Sequence, residues 1–303
     1  MDTTGCGTAI ITPFLPDLAI DETALAALVD WQIEQGIDFI VACGSTGEAA
    51  TLEEDEWLRV IEIVIEATQG RVPVWAGCTH NATRALLRQA AKLKNIKGLS
   101  AVLSANPYYN KPTQEGQYQH FLALAREVAP LPVALYNVPG RTAANLDPVT
   151  AARLAAAASN IQAIKEACGK LAQFEELVRI MPRGFKIFSG DDGMALAAIE
   201  IGAHGLISVA SNEIPAETAR MVRAALKGDW TQAREIEGRY AELFEANFWE
   251  SNPAPVKAVL SLMGRSNDVL RLPLVPATAA TRARLEKLAG ELGLLKPAAA
   301  MKA

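Results

Sequence analysis

The sequence predicts a (β/α)8 TIM barrel with a helical appendage in the C-terminal part of the chain. Short apolar runs alternate with amphipathic stretches of helical spacing, and each run is continuously apolar, as in parallel strands that helices cover. Eight runs qualify as strands, at residues 8–12, 39–43, 72–76, 99–103, 133–136, 161–165, 186–189 and 205–209. This alternation favours a closed barrel. An open doubly wound sheet is the alternative, because periodicity alone does not exclude it.

Beyond residue 225 the pattern becomes purely helical. Helical spacing continues through residues 230–244, 253–263 and 277–292. We therefore expect a catalytic barrel at residues 1–225, a helical domain at 226–295 and a frayed tail at 296–303.

Capping patterns mark three of the predicted helix starts. Residues 51–54 (TLEE) have the capping-box pattern, in which a hydroxyl and a carboxylate satisfy exposed backbone amides. Asp147-Pro148 and Asn252-Pro253 each place a capping side chain before a proline, whose missing amide costs nothing in the first turn. We expect each of these side chains to cap the helix that follows it.

Composition and charge narrow the class of protein. Half of the residues are hydrophobic, so the chain can bury a large core. A net charge of -5 and a pI near 5.4 argue against nucleic-acid binding, which needs a basic face. No apolar run approaches the roughly 18–20 residues of a membrane span, and the first residues do not read as a signal peptide. We expect a cytoplasmic protein that binds neither nucleic acid nor membranes.

Neither cysteine nor histidine is arranged as a metal site. The four cysteines are Cys6, Cys43, Cys78 and Cys168. Their scatter and their apolar neighbours favour buried, reduced thiols, and the three histidines lack ligand-like spacing. Asp191 and Asp192 supply oxygen ligands, but they precede a helical stretch and no further oxygen ligands are evident, so a helix cap is the preferred interpretation. We expect no metal and no cofactor.

The polar clusters of the chain follow the predicted strands, so they fall at the same end of the barrel. Barrel active sites form there, because the loops after the strands converge. The clusters are residues 44–48 (GSTGE) after the second strand, 107–110 (PYYN) after the fourth, Tyr136 and Arg141 at the fifth, Lys165 at the sixth and 190–192 (GDD) after the seventh. This convergence predicts an active site at the barrel mouth.

Lys165 is the candidate nucleophile. It lies among Ile161, Ile164 and Ala167, and burial there disfavours the ammonium form, lowers the pKa and leaves a neutral amine that can attack a carbonyl. The alternative is a strand-end charge paired with Glu166. A tyrosine and an arginine at the same barrel mouth favour the imine-forming lysine.

Four more side chains are candidates for proton transfer and carboxylate binding. Tyr136 with a Ser45 or Thr46 hydroxyl forms a relay from the imine to solvent, unless Tyr136 is an ordinary aromatic of the rim. Residues 44–47 suit a small carboxylate, or form only a tight turn. Arg141 offers two parallel hydrogen bonds to a carboxylate, or is a solvated loop charge.

Together these motifs strongly resemble the dihydrodipicolinate synthase family, also called the 4-hydroxy-tetrahydrodipicolinate synthases, of the pyruvate-dependent class I aldolase superfamily. The resemblance runs from about residue 7 to about residue 292. It is carried by residues 44–48, 106–112 (NPYYNKP), 136–142 (YNVPGRT), 164–167 (IKEA), 189–192 (SGDD) and 252–257 (NPAPVK). The loop that contains Arg141 favours the synthases over their sister lyases.

The resemblance implies a reaction and the residues that perform it. Lys165 forms a Schiff base with pyruvate, and the derived enamine attacks aspartate semialdehyde. Cyclisation gives 4-hydroxy-tetrahydrodipicolinate, an intermediate towards diaminopimelate and lysine. Tyr136, Ser45 and Tyr109 form the proton relay, with Tyr109 reaching across from a second subunit.

The resemblance also implies binding residues and an assembly. Thr46 helps to hold the pyruvate carboxylate, with Gly190 and Ile207 lining that site, and Arg141 binds the carboxylate of the aldehyde. The family is commonly a homotetramer built from tight dimers, which fits a tyrosine shared between subunits.

Two departures from the family pattern bear on substrate choice and regulation. Ser45 stands where the synthases usually carry threonine, and serine is common there in N-acetylneuraminate lyases; the hydroxyl is kept, but its rotamer is less restricted. Positions that help to bind lysine in lysine-inhibited relatives are here Glu54, Trp57 and Ala85, with Asn81 and Tyr108 retained. We expect weak or absent feedback by lysine.

Two rival functions stay open. Another pyruvate lyase, of the N-acetylneuraminate or 4-hydroxy-2-oxoglutarate type, would share Lys165 but have less use for Arg141. A catalytically silent barrel that senses a keto acid is the rival from a different class, and it need not trap pyruvate covalently when borohydride is added.

Overall fold

Eight parallel strands close into a barrel in the computed structural model, which describes residues 3–295. Each strand pairs with its neighbours in chain order, and the eighth returns to the first. The strands are β1 (Gly5–Ala9), β2 (Phe39–Ala42), β3 (Val74–Gly77), β4 (Leu99–Ala105), β5 (Val133–Asn137), β6 (Ile161–Glu166), β7 (Lys186–Ser189) and β8 (Gly205–Ser208). The predicted TIM barrel is confirmed, and the open sheet is excluded.

Helices follow the strands, and three more follow the barrel. They are α1 (Glu22–Glu34), α2 (Glu54–Thr68), α3 (Thr83–Leu93), α4 (Gln114–Val128), α5 (Pro139–Thr142), α6 (Pro148–Ala157), α7 (Leu171–Ile180), α8 (Ala195–Ile201), α9 (Pro215–Leu226), α10 (Trp230–Ala246), α11 (Ala254–Leu262) and α12 (Ala279–Glu291). The C-terminal helices are those predicted, within about two residues at each end. None of the helices among residues 3–295 could span a lipid bilayer. The division at residue 225 stays a prediction, and the tail 296–303 lies outside the described residues.

The barrel interior is filled by side chains, so only its mouth is open. Phe39, Trp75 and Phe188 meet at its centre with ring centroids 4.6–5.6 Å apart. Aliphatic side chains on the outer faces of the strands pack against the helices in a second, larger core. Inward and outward side chains alternate along each strand, which explains why the runs are apolar throughout.

The first strand lies earlier than predicted. β1 ends at Ala9, whereas the sequence placed a strand at residues 8–12. Gly7 pairs with Phe39, and a Cβ at Gly7 would lie 2.3 Å from that ring, so the glycine lets the aromatic fill the barrel. Ile10 and Ile11 are buried in the loop after the strand. Apolarity alone does not distinguish a buried strand from the buried loop that follows it.

The predicted helix caps are only partly right. Glu53, not Thr51, caps α2, and its carboxylate and that of Glu56 form the capping box. Asp147 occupies the N-cap position of α6, but its side chain does not cap the helix. Asn252 does not cap α11 at all, because its amide donates instead to the Thr46 hydroxyl. A tertiary contact has replaced the local one.

The thiols are reduced, and most are buried. Cys6, Cys43 and Cys78 are buried, Cys168 is partly exposed, and none of the four forms a disulfide. Burial raises the pKa of the Cys78 thiol to about 12. These cysteines therefore act as small core side chains, as the sequence predicted.

Candidate active site

A cavity of about 130 Å³ opens at the carboxyl ends of the strands. Its wall includes residues from the loop after β2, from β5 and α5, from β6 and from the loop after β7. The predicted site residues in this wall are Ser45, Thr46, Tyr136, Arg141, Lys165 and Gly190. Loops that are far apart in sequence thus bring six of the predicted residues to one pocket.

Lys165 is buried in the cavity wall and lies beside Tyr136. The two residues are register partners on β6 and β5, and the Lys165 Nζ lies 4.6 Å from the centroid of the Tyr136 ring. Burial lowers the pKa of Lys165 to about 8, opposed by the charge of Asp192 and assisted by that of Arg141. Lys165 is only 5% exposed, and no carboxylate among residues 3–295 forms an ion pair with it. A much larger fraction of this amine is therefore neutral near physiological pH than in an exposed lysine.

Glu166 does not form an ion pair with Lys165, so the alternative in which Lys165 is a strand-end charge paired with Glu166 is wrong. Successive side chains of a strand point to opposite faces, and Glu166 points away from the cavity. Its carboxylate accepts hydrogen bonds from Asn137 Nδ2 at 3.0 Å, Gln173 Nε2 at 2.8 Å and the Cys168 amide at 2.7 Å. Burial raises the pKa of this carboxyl group. Glu166 holds the outer side of the strand end that carries Lys165.

Gly190 makes room for the lysine side chain. A Cβ at this position would lie 2.7 Å from Lys165 Cε and 2.9 Å from Ala167 Cβ. The Gly190 amide also donates to the Glu166 carbonyl at 2.8 Å, which fixes the glycine against β6. The glycine is therefore required by close approach, not by a turn.

Tyr136 and Ser45 provide hydroxyl groups next to the lysine. Burial raises the pKa of Tyr136 to about 12, although the nearby Arg141 charge and a hydrogen bond with Ser45 lower it. Tyr136 is therefore a neutral phenol that can pass a proton to or from a neighbour. Ser45 is exposed and lines the same cavity.

The loop that carries Ser45 and Thr46 is a tight turn after β2. The Gly47 amide donates to the Gly44 carbonyl and the Glu48 amide to the Ser45 carbonyl, each at 3.1 Å. Glu48 adopts a left-handed backbone with φ +52°, which is unusual for a residue with a side chain. The Thr46 side chain is 4% exposed and accepts a hydrogen bond from Asn252 Nδ2 at 3.0 Å. The loop thus depends on the C-terminal segment.

Arg141 stands at the rim of the cavity, in the short helix α5. Pro139 at the start of α5 places the arginine in its last turn. Its side chain forms no ion pair with a carboxylate of residues 3–295, so the guanidinium is available to an anion in the cavity.

Comparison with known proteins identifies the family. The model of the dihydrodipicolinate synthetase family matches residues 2–292. This chain belongs to that family. It is 60% identical over 295 residues to the 4-hydroxy-tetrahydrodipicolinate synthase of Acidobacterium capsulatum and 53% identical over 294 residues to that of Koribacter versatilis, with 97% of each chain covered in both comparisons. A crystal structure of the chloride-inhibited dihydrodipicolinate synthase from Acinetobacter baumannii, complexed with pyruvate, is similar with 40% identity and a TM-score of 0.93, covering 96% of this chain and 99% of that one.

Two residues that the sequence analysis assigned to the site, Tyr109 and Ile207, do not line the cavity. Tyr109 is 87% exposed on the loop after β4 and has a left-handed backbone with φ +74°. Ile207 on β8 is fully buried in the barrel interior and packs in the same inner cluster as Tyr136, below the cavity wall. The roles of Tyr109 across a subunit interface and of Ile207 at the carboxylate stay predictions.

The two aspartates after β7 have separate roles. Asp191 accepts a hydrogen bond from the Gly193 amide at 3.0 Å and caps the short turn that follows, as predicted. Asp192 does not cap: its buried carboxylate accepts hydrogen bonds from Ser208 Oγ and from the amides of Val209 and Ala210, which ties the loop after β7 to the end of β8. Among residues 3–295, no group of His, Cys, Asp and Glu side chains is arranged to hold a metal ion.

The sequence did not indicate that the C-terminal segment contributes to the site. Asn252 and Phe248 line the cavity from the stretch between α10 and α11. Lys257 on α11 forms a buried ion pair with Glu48. Residues 252–257 carried the family resemblance, but nothing in their local pattern connected them with a loop about 200 positions earlier in the chain.

Proposed function

We propose that this chain condenses pyruvate with aspartate semialdehyde to 4-hydroxy-tetrahydrodipicolinate, a lyase reaction of diaminopimelate and lysine biosynthesis. The observation that carries the proposal is Lys165, a buried amine without an ion-pair partner among residues 3–295 that faces a cavity between Tyr136 and Arg141. Relatives at 53–60% identity are 4-hydroxy-tetrahydrodipicolinate synthases. The cytoplasm is the compartment we propose for this activity.

The reaction begins at the neutral amine of Lys165. The amine adds to the keto carbon of pyruvate, water leaves and a protonated imine forms. Loss of a methyl proton gives an enamine, whose terminal carbon forms a bond to the aldehyde carbon while the aldehyde oxygen takes up a proton. The amino group of the acceptor then attacks the imine carbon, closes the ring and releases Lys165. One water is lost for each pair of substrates joined, so the step is balanced without an oxidant or reductant.

Tyr136 and Ser45 move the protons in this scheme. Tyr136 lies against Lys165, and the Ser45 hydroxyl in the same cavity wall, which lowers the pKa of the phenol, provides an exit towards solvent. We propose that Tyr109 of a second subunit completes the relay. The protonated imine itself takes up the electron pair that remains when the methyl proton leaves, so the proposed reaction uses neither a cofactor nor a metal.

Thr46 and Arg141 are the proposed carboxylate ligands. Because Asn252 donates to the Thr46 oxygen, the Thr46 hydroxyl hydrogen is free to bond to another acceptor, and Thr46 lines the cavity. We assign it to the pyruvate carboxylate, with Gly190 in the same wall and Ile207, which the family resemblance implies for this site, buried beneath it. Arg141 at the rim is assigned to the carboxylate of the aldehyde, which enters second.

Competing acceptors test the function directly. Pyruvate consumption is measured with aspartate semialdehyde, N-acetylmannosamine and glyoxylate. Selective turnover of aspartate semialdehyde supports the synthase, and Arg141→Ala should then lower kcat/KM for that acceptor by on the order of 10²-fold, because a charge-assisted bidentate contact is lost. Turnover of another acceptor instead would move the chain to a sister lyase.

We propose a homotetramer built from tight dimers, supported by the strong exposure of Tyr109 away from its own cavity. Complementation tests the shared site. Tyr109→Phe and Lys165→Ala subunits are mixed after dissociation, so that an intact Tyr109 from one subunit can serve the intact Lys165 of the other. Recovery of activity above both parents supports the shared site, whereas no recovery in a mixture shown to contain hybrids contradicts it.

Weak feedback by lysine also stays a proposal. Trp57 is buried and its Nε1 donates to the Gly77 carbonyl at 2.9 Å, while Glu54 forms an ion pair with Lys92 at 2.7 Å. Both side chains thus have other partners. Strong inhibition at modest lysine concentration would contradict the proposal.

A further inference from the structure

The segment between α10 and α11 returns from the C-terminal helices to the barrel mouth. The end of this segment and the first turn of α11 together form residues 252–257, which the reaction scheme does not use. Two of its side chains, Asn252 and Lys257, contact the loop of residues 44–48 that carries Ser45 and Thr46. Both contacts are buried, so each acts in an environment where hydrogen bonds and charges are strong.

The first contact orients the Thr46 hydroxyl. Asn252 is 4% exposed, and its Nδ2 donates to Thr46 Oγ1 at 3.0 Å. A threonine hydroxyl has one hydrogen to donate, and a donor already directed at the oxygen turns that hydrogen elsewhere. Because Thr46 lines the cavity, its hydrogen is available to an anion there.

The second contact fixes the end of the same loop. Lys257 Nζ forms an ion pair with Glu48 Oε1, and both side chains are fully buried. The same Nζ donates to the Val269 carbonyl at 2.9 Å, and Glu48 Oε2 accepts a hydrogen bond from the Arg271 amide at 3.2 Å. The Phe14 ring lies 4.3 Å from both cations, Lys257 and Arg271, which closes the cluster.

Glu48 transmits this restraint to the turn. Its backbone is left-handed, and its amide donates to the Ser45 carbonyl at 3.1 Å. A residue with a side chain keeps this conformation only where its surroundings enforce it. The buried ion pair supplies that enforcement from the C-terminal helices.

We propose that Asn252 and Lys257 are positioning residues of the pyruvate site, which hold the loop of residues 44–48 so that the Ser45 and Thr46 hydroxyls face the cavity. The inference rests on the proposed function, because it assigns these hydroxyls to pyruvate. The C-terminal part of the chain then positions the residues that bind pyruvate.

Two single variants measure the effect. Asn252→Ala and Lys257→Met should each raise the KM for pyruvate by about 10–100-fold, since misplacement of a binding group by about 1 Å has consequences of that size. The kcat at saturating pyruvate should fall less. Active sites are counted by borohydride trapping of the pyruvate imine, so that loss of folded protein is not mistaken for loss of affinity.

Two control variants separate positioning from stability. Asn247→Ala removes a buried hydrogen bond of the same kind, from Asn247 Nδ2 to Glu213 Oε2 at 2.8 Å, at a place that does not contact the loop. It should lower the Tm without changing the KM for pyruvate. Lys287→Met removes an exposed lysine from α12 and should change neither. A raised KM in Asn247→Ala would show that any destabilised C-terminal segment has this effect, and it would overturn the proposal.

Double variants provide the sharper test. Glu48→Gln combined with Lys257→Met leaves no unpaired buried charge, so much of the Tm lost in Lys257→Met should return while the KM stays raised. A KM that recovers together with the Tm contradicts positioning. In a Thr46→Val background, Asn252→Ala should add little, because its effect passes through the missing hydroxyl. An undiminished effect there would mean that Asn252 contacts pyruvate itself and would overturn its assignment.

The outcomes also separate this inference from the proposed function. If the unsubstituted protein traps no pyruvate, the proposed function fails first. If it traps pyruvate and the Asn252 and Lys257 variants retain its KM, only the positioning role is wrong.

Discussion

Lys165 and Lys257 are both buried, and burial lowers the pKa of each to about 8. Their surroundings nevertheless differ in kind. Lys257 is enclosed by Phe14 and forms hydrogen bonds with the Glu48 carboxylate and the Val269 carbonyl, so its hydrogens and charge are already used. Lys165 stands at a strand end in the cavity wall, with no ion pair among residues 3–295. A lowered pKa therefore does not by itself distinguish a nucleophile from a structural lysine.

The difference has its origin in the fold. The end of β6 projects alternate side chains into the barrel mouth, so Lys165 faces space that a substrate can enter. Lys257 lies within α11, and its fully buried side chain reaches back beneath the loop of residues 44–48. An amine must be both neutral and accessible to form an imine, and only Lys165 satisfies both conditions.

The largest expected effect is that of Lys165→Ala. Because the covalent step is lost entirely, turnover should fall by on the order of 10⁴-fold or more, and borohydride should trap no pyruvate. Steady-state kinetics and intact-protein mass spectrometry measure the two losses. Lys257→Met, in contrast, should still trap pyruvate. Trapping in Lys165→Ala would show that another lysine is the nucleophile.

The next effect is that of Tyr136→Phe, which keeps the ring against Lys165 and removes the phenol. Loss of a positioned proton carrier should lower kcat by about 10²–10⁴-fold. The imine should still be trapped, although more slowly. If kcat stays within a few-fold of the unsubstituted protein, Tyr136 is only a packing neighbour of the lysine.

A smaller effect is expected for Gly190→Ala, which crowds Lys165 and leaves Lys257 untouched. The new methyl group would lie 2.7 Å from Lys165 Cε, so the lysine must shift. We expect kcat/KM to fall by about 10–100-fold. Gly193→Ala is the matched control, because its methyl group would meet only Asp191 Oδ1, at an ordinary 3.5 Å. Equal activity in the two variants would contradict the close-packing argument.

The smallest effect is the pH dependence of imine formation. The neutral amine attacks, so the rate should rise with pH through the Lys165 pKa of about 8 and level off above it. Between pH 7 and pH 8 the neutral fraction grows about fivefold, which the rate of borohydride trapping should follow. A rate that is flat from pH 6 to pH 9 would mean that the amine is not the titrating group.

Patterns along the chain are sufficient to predict the barrel and the position of the candidate nucleophile. Strand number and order follow from continuous apolar runs, and Lys165 and Tyr136 fall at the mouth because both lie at strand ends. The limits of β1 could not be predicted from the sequence, because Ile10 and Ile11, which lie in the loop after the strand, are as apolar as strand residues. The Asn252 cap was mispredicted because its amide makes a tertiary contact with Thr46, whereas the Thr51 hydroxyl donates locally to the Glu48 carbonyl instead of capping α2.

The contribution of the C-terminal helices was beyond the reach of sequence patterns. Lys257 and Glu48 are 209 positions apart, and Lys257 is the one charged residue in the otherwise largely apolar helix α11. Its partner becomes evident only when the barrel brings the loop and the helix together. The role of Tyr109 in the site of a second subunit, by contrast, was predicted from the family resemblance, and it stays a prediction.

The most direct test of the contrast between the two lysines is peptide mapping of the unsubstituted protein after reduction with borohydride in the presence of pyruvate. We expect a single modified peptide, with the adduct on Lys165, and an unmodified peptide containing Lys257 at every pH from 6 to 9. An adduct on Lys257, or none on Lys165 while pyruvate is being consumed, would contradict it.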